Sequence, residues 1–446
     1  MPTRAEVLSA LSYALDLVEG QPTGHAARTC LIAMELGKMI GLDRHDMQSL
    51  YYAAILKDSG CSNNSARIHK IFGGDELLTK RNVKFIDWSR AVDCLKFGAS
   101  NTLPDGSAIA RFRMMLNNLG PPSKVMNEVT AARCHRGASI ASSLGLGRTT
   151  AEAIRALDEH WDGRGAPSGL QGDAIPILAR VLSLAQTLEV FAWSFGPHQA
   201  LDVLKKRRGR WFDPEVFTAA IAIESDVAFW ARVHASGHAE AAASEPYPDD
   251  QPLKPVEMDT ICETFASIVD AKSPYTKGHS DRVADIAVGI GRCLGLPNDS
   301  LTDLERAGHL HDLGKLAVPN CILDKPARLT DAEFGRVKEH PRRSFEILSP
   351  MPGFDRIADI AATHHERLDG RGYWRGLGGE DLSLESRVVT VADVFEALTA
   401  DRPYRKAMES DAALGILWSE AEAAFDPVCI EALASHIGKA PVKHAA

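Results

Sequence analysis

Apolar side chains recur at three- and four-residue steps from Val256 to Ala271: Met258, Ile261, Phe265, Ile268 and Val269 share one face. That period predicts a helix with a single buried stripe. Leu8, Leu11, Leu15 and Val18 repeat the pattern near the start, with Glu6, Asp16 and Glu19 off the stripe. Thr302-x-x-Glu305 and Thr330-x-x-Glu333 have the spacing of capping boxes, each expected to open a helix. Residues 386–400, SRVVTVADVFEALTA, are too long for one strand and rich in helix formers. Residues 369–382, DGRGYWRGLGGEDL, carry five glycines and read as a loop. Long alternating patterns are absent, so the expected fold class is all-α.

The pattern occurs twice. His25 in TGHAARTCLIAMELGKMIGL and His279 in KGHSDRVADIAVGIGRCLGL stand 254 residues apart, as do Asp58 in LKDSG and Asp312 in LHDLG. DGRG at 162–165 and at 369–372 are 207 apart, and so are Gln186 and Asp393. CHRGASI set against EHPRRSFEI pairs His135 with His340 at an offset of 205, and the FDP turns pair Pro214 with Pro427. Offsets that drift this slowly indicate two tandem copies of one helical domain. On that alignment 1–233 is the first copy, with an insertion of 49 residues within 61–134; 234–255, rich in Ala, Ser, Pro and Asp, is a linker; 256–446 is the second copy.

Composition narrows the class. The chain of 446 residues is 45% hydrophobic and 24% charged, with net charge -9 and pI near 6.0. No global excess of positive charge calls for polymeric nucleic acid, and no long uncharged apolar run predicts a membrane span. The eight cysteines are scattered without a CxxC pair, which fits a reducing cytoplasm better than a zinc ribbon or disulfide framework.

The second copy gathers His279, His311, Asp312, His340, His364, His365 and Asp393. HLHDLGK and ATHHERLDG set these groups beside Leu310, Leu313, Ile360 and Ala362. Burying such groups without a partner is costly, and a metal is the usual partner. A mixture of imidazole and carboxylate suits iron, manganese, zinc or nickel better than calcium or copper(I).

HDLGK, then HHERLDGRGYWRGL, then VADVFEALTADRPYRK resemble the motif series of HD-GYP domains, a branch of the HD phosphohydrolases, over 256–435. The resemblance implies two HD-type helical domains, the second with the GYP-loop extension. It implies metal-dependent hydrolysis of cyclic di-GMP to linear pGpG, and in some members on to GMP. His279, His311, Asp312 and Asp393 would hold one divalent ion, and His340, His364 and His365 another, with Asp312 bridging. Iron or manganese leads, with zinc or nickel as alternatives. Lys315, one turn after Asp312, would meet the scissile phosphate. Arg371, Tyr373, Arg375, Arg402, Arg405 and Lys406 are the candidates for the rest of the substrate, since arginine offers a planar fork to phosphate and guanine edges. The signature proline after Gly-Tyr is Trp374 here, which bears on substrate preference. Some relatives hold a third ion with a glutamate four residues before the first histidine; here Tyr275 stands there.

The first copy keeps His25, Asp58 and His135 on this alignment. Lys57 stands opposite His311, Leu157 and Asp158 opposite His364 and His365, Gln186 opposite Asp393, and Cys61 opposite Lys315. An ammonium group cannot donate to a metal, so this copy is expected to be metal-free, structural or regulatory. Three roles stay open: packing on the second copy, mediating a homodimer, or none beyond that of a tethered remnant. GGDEL at 73–77 is similar to the diguanylate cyclase signature GGDEF, but the insertion is too short for that α/β domain. GIGRCLG at 289–295 lies in a helical pattern and follows no strand, so a dinucleotide fold is not expected. Two other readings compete with cyclic di-GMP hydrolysis: hydrolysis of another cyclic dinucleotide such as cyclic GMP-AMP or of a nucleotide monoester, and silent reception of cyclic di-GMP.

Overall fold

The computed structural model describes residues 2–439 except 88–89, 105, 118–121, 249–250 and 402–404. Among the described residues all regular structure is helical, and the only β-type pairings are isolated bridges. The chain divides into two compact units, Pro2–Leu253 and Lys254 onward.

In the N-terminal unit the helices are α1 (Arg4–Val18), α2 (His25–Met39), α3 (Arg44–Leu56), α4 (Ser65–Phe72), α5 (Glu76–Val83), α6 (Ala91–Asn101), α7 (Ala108–Asn117), α8 (Pro122–Ser143), α9 (Gly147–Arg155), α10 (Ile177–Phe195), α11 (Pro197–Arg207), α12 (Pro214–Ala222), α13 (Val227–Ala235) and α14 (His238–Ala243). The C-terminal unit has α15 (Pro255–Asp270), α16 (His279–Cys293), α17 (Asn298–Leu310), α18 (Asn320–Leu323), α19 (Asp331–Lys338), α20 (His340–Leu348), α21 (Asp355–Ala362), α22 (Leu384–Thr399), α23 (Ser410–Ser419) and α24 (Pro427–His436).

The stripe read in α15 is the buried face: Met258, Ile261, Phe265, Ile268 and Val269 are all inside. Pro255 at the first turn and the Glu257 carboxylate on the Lys254 N–H open that helix. The Thr330 capping box forms, with Thr330 N to Glu333 Oε2 at 2.7 Å and Glu333 N to Thr330 Oγ1 at 3.3 Å. The Thr302 box does not: α17 has already started at Asn298 behind Pro297, so Thr302 lies inside a helix whose amides are taken. GGDEL is a helix joint, with Gly73 left-handed after α4 and Asp75 capping α5. GIGRCLG continues the pattern of α16.

Among the described residues one helix, α10, has the length and mean hydropathy, 1.2, to cross a membrane, but 67% of that stretch is buried inside its unit. It packs on α2, α3, α9 and α11, and its inward polar side chains include Gln186 and Glu189. These are the properties of a core helix.

A close backbone approach fixes how the turn after Asp312 meets α20 in the C-terminal unit. A Cβ on Gly314 would lie 2.0 Å from the His340 carbonyl oxygen, so only glycine lets the turn after Asp312 meet the start of α20. In the N-terminal unit a Cβ on Gly60 would lie 2.0 Å from the Arg133 carbonyl oxygen. Gly60 and Gly314 are 254 apart; Arg133 and His340 are 207 apart, the offset kept by DGRG. Arg133 therefore takes the place of His340. His135, expected there, lies two residues on and is exposed.

Candidate metal centre

Four helix ends and one helix middle deliver the seven sequence-predicted ligands to one place. His279 begins α16, His311 and Asp312 follow α17, His340 begins α20, His364 and His365 follow α21, and Asp393 lies within α22. All but His365 are buried, and His365 is half-buried. Asp312 divides its two oxygens. Oδ2 lies 3.5 Å from His279 Nε2 and 3.4 Å from His311 Nε2; Oδ1 lies 3.4 Å from His340 Nε2 and 3.8 Å from His364 Nε2. Asp393 Oδ1 joins the first group, 3.3 Å from His279 Nε2 and 3.7 Å from His311 Nε2. His340, His364 and His365 form the second, with the His364 and His365 ring centroids 4.1 Å apart.

His279 Nε2, His311 Nε2 and Asp312 Oδ1 are buried without a hydrogen-bond partner. Buried polar atoms are rarely left so, and here they converge on one another. The donors fit a pair of cations: two carboxylates and a carboxylate-facing pair of imidazoles on one side, three imidazoles on the other.

Electrostatics separates the groups. Burial opposes charge on His279 and His311, yet Asp312 and Asp393 outweigh it, holding His279 well above the usual histidine range and His311 at about 9. Burial also opposes charge on Asp312, but His311 and Lys315 keep its carboxyl well below the ordinary range. Burial pushes His340 down, with Lys315 adding to it, and takes His364 to about 4 with the help of His311. The first group attracts a positive charge, and the second presents neutral lone pairs.

A family model of the HD domain matches residues 109–216 and 263–429. The chain is 37% identical over 438 residues to 3'3'-cGAMP-specific phosphodiesterase 3 of Vibrio cholerae, covering 98% of this chain and 95% of that protein. It is 42% identical over 179 residues, 40% of this chain and 47% of the other, to the cyclic di-GMP phosphodiesterase response regulator RpfG of Xanthomonas campestris. The crystal structure of a V. cholerae cyclic GMP-AMP specific phosphodiesterase superposes with a TM-score of 0.69 at 33% identity over 100% of both chains. The chain belongs to the HD domain family, in its HD-GYP branch.

As an HD-GYP phosphodiesterase it carries its lysine in a 3-10 turn, Leu313–Ala317, which keeps Lys315 Nζ on Asp312 Oδ2. In the GYP loop, Tyr373 is half-buried with its ring 4.7 Å from that of His365, at the edge of the centre. Trp374 has φ 94°, a left-handed value that proline cannot adopt. Its ring rests 5.2 Å from Phe345 of α20, and the Arg375 guanidinium lies 4.2 Å over it while bonding Asp359 of α21 at 2.8 Å. Arg375 thus fastens the loop. Arg405 is likewise occupied, donating to the Ala397 and Leu398 carbonyls at the end of α22. Arg371 and Lys406 are exposed, and Arg402 lies outside the described residues. Tyr275 is 39% exposed.

Three supporting residues escaped the sequence reading. Glu396 accepts from His279 Nδ1 and from Arg282 Nε, Asp270 accepts from Ser280 N and Oγ, and Glu366 accepts the amides of Arg375, Gly376 and Leu377. Their signal was the repeat. In the N-terminal unit Glu189 accepts from His25 and Arg28, Asp16 from the Gly24 and Ala26 amides, and Glu159 from the Ser168 and Leu170 amides.

Two of the ligand positions of that unit hold cations instead. Lys57, fully buried, bonds Asp58, and Arg133 bonds Asp158. Lys80 and Lys84 lie 3.9 and 3.2 Å from Glu19, which with Asp58 and Cys61 forms that unit's acidic group. Burial opposes charge on Asp58, but Lys57 leads a set of cations that hold its carboxyl below the ordinary range.

Proposed function

We propose that the C-terminal unit hydrolyses a cyclic dinucleotide, 3'3'-cyclic GMP-AMP first, opening one phosphodiester bond by addition of water. The division of the Asp312 carboxylate between two histidine groups carries this reading. His279, His311, Asp312 and Asp393 would hold one divalent ion, and His340, His364 and His365 a second, bridged by Asp312; iron or manganese suits these donors. When bound, such ions supply Lewis-acid activation of water and of the phosphoryl oxygens. Asp312 keeps both donor groups at one spacing. Lys315 offers its ammonium to a non-bridging phosphoryl oxygen. Tyr373 presents a face for one base, and exposed Arg371 and Lys406 add positive charge in an acidic chain.

The sequence alone put cyclic di-GMP first. The cyclic GMP-AMP order is supported by the Vibrio cholerae phosphodiesterase that matches the whole chain both in sequence and in structure, and whose name makes it specific for that nucleotide. The cyclic di-GMP reading keeps the support of RpfG, which matches 40% of this chain. Metal analysis of anaerobically purified protein, then product chromatography from a cyclic dinucleotide panel, tests both. Turnover of cyclic di-GMP at least as fast as cyclic GMP-AMP would overturn the order; no turnover of either with metals loaded would overturn the function.

The N-terminal unit, in the same proposal, is a degenerate HD-GYP copy that holds no catalytic metal and supports or regulates the second. Its support is the retained His25, Asp58, Glu189 and Glu159 framework beside Lys57 and Arg133.

A further inference from the structure

The histidines around Asp312 fix their tautomers in two ways. His311 donates Nδ1–H to Gly308 O at 2.8 Å, His340 to Val337 O at 2.7 Å, and His364 to Ala361 O at 2.6 Å. Each uses the carbonyl three residues back. A carbonyl only accepts, so Nδ1 carries a proton, and in the neutral ring the Nε2 lone pair faces the centre. His279 differs. It is the first residue of α16, and the Thr276 carbonyl three residues back already accepts the His279 backbone N–H at 2.9 Å. Its Nδ1 bonds instead to the carboxylate of Glu396, which is 2% exposed and takes Arg282 Nε on its other oxygen at 2.8 Å.

We propose that Glu396 is a positioning residue that makes the His279–His311–Asp312–Asp393 group the tighter of the two cation positions, so that the two ions load in order, that group first. The inference rests on the two-ion reading above. A carboxylate behind an imidazole locks the ring and raises the basicity of the ligating nitrogen, and losing such a partner typically costs about 10- to 100-fold in metal affinity. The same group also holds Asp393, whereas the second has only the shared Asp312 as an anion. Lys315 rests on Asp312 Oδ2, the oxygen that faces the first group.

The N-terminal unit supplies an independent comparison. There Glu189 backs His25 and takes Arg28 Nε at 2.6 Å, and His25 Nε2 lies 3.8 Å from Asp58 without a hydrogen-bond partner. The cation against that aspartate is the Lys57 ammonium. The carboxylate-backed histidine thus recurs where a positive charge is held against the aspartate.

The test is calorimetric titration of the metal-free full chain with Mn2+, excluding oxygen. The expected wild-type isotherm has two steps. Glu396→Gln keeps a hydrogen-bonding group of the same shape; it should weaken the first step about 10- to 100-fold and leave the second unchanged. Glu189→Gln should move neither. An isotherm of Glu396→Gln identical to wild type, or one with both steps weakened equally, overturns the proposal. Should that variant melt below the assay temperature, Arg282→Gln decides: it removes the arginine's tie from α16 to Glu396 but leaves the carboxylate on His279. An unchanged first step supports positioning, and a lost one assigns Glu396 a purely mechanical role. A single step or none in the wild type overturns the two-ion reading itself, an outcome separate from a two-step isotherm that Glu396→Gln fails to move.

Discussion

Asp312 reaches His279 with one carboxylate oxygen and His340 with the other, at 3.5 and 3.4 Å, so one short side chain spans both donor groups. Removing it strips an anion from both sides at once. Asp312→Ala should lower turnover at least about 1,000-fold, the order of effect of removing an electrostatic stabiliser, and should release both metals. His340→Ala should release one. Elemental analysis beside steady-state turnover checks this; near-normal turnover in Asp312→Ala would sink the mechanism.

Two metals per chain are expected, not three. Tyr275, where some relatives place a glutamate, is partly exposed, and a neutral phenol is a poor metal ligand beside a carboxylate. An anomalous-scattering map of metal-loaded crystals reads the number directly. Three fully occupied peaks in the C-terminal unit would refute this, and any peak beside Asp58 would refute the metal-free reading of the N-terminal unit.

Lys57→Ala leaves Asp58 buried with less compensation. Breaking a buried pair by removing one partner typically costs about 3–5 kcal/mol. The N-terminal unit of Lys57→Ala should therefore unfold at clearly lower urea than wild type, while metal content stays at two. If turnover is also unchanged in the folded variant, the regulatory part of the proposal fails and only support remains.

His160 makes the N-terminal unit acid-sensitive. Its ring is stacked on Trp211 with centroids 4.1 Å apart, and burial holds its pKa down to about 4. Folding therefore favours the neutral ring. This contribution is fully present above the unfolded value of about 6.5 and is lost as pH falls from there through 4; a shift of this size corresponds to about 3 kcal/mol. Urea melts between pH 7 and 5 should show part of that loss, and His160→Phe should flatten the slope while keeping the stack. An equal slope in both proteins would refute the assignment.

Trp374→Pro cannot reproduce φ 94° and should move Tyr373 off His365. KM should rise about tenfold, a hydrophobic or stacking contact's worth, with metal content unchanged. Loss of metal instead of affinity would show that the loop supports the ligands themselves.

The seven ligands were legible because most sit in short motifs that put ionisable groups beside apolar ones, as in HLHDLGK and THHERLDG. Glu396 was not, because its partner His279 is 117 residues away and a glutamate on a helix usually faces solvent. Yet Glu189 in LAQTLEVF and Glu396 in VADVFEAL keep the 207-residue offset of Gln186 and Asp393, so the repeat contained the signal. His135 was misaligned for the opposite reason. Matching its letter to His340 produced an offset of 205, whereas the backbone approach at Gly60 selects Arg133. Thr302 and Glu305 have capping-box spacing, but Pro297 starts the helix earlier, and spacing carries no information about which signal acts first.

The missing side chain of Gly314 has a further consequence. Because main chain rests on main chain between this turn and His340, the gap between the two donor groups is measured by the backbone, and the side chains only decide what fills it. Donors can be exchanged without re-tuning the spacing. The N-terminal unit already shows one such exchange: the contact at Gly60 is kept, while the groups across it have become an ammonium and a guanidinium. A scaffold of this kind separates the ruler from the chemistry, so its metal preference can drift, or disappear, while the fold around it stays put.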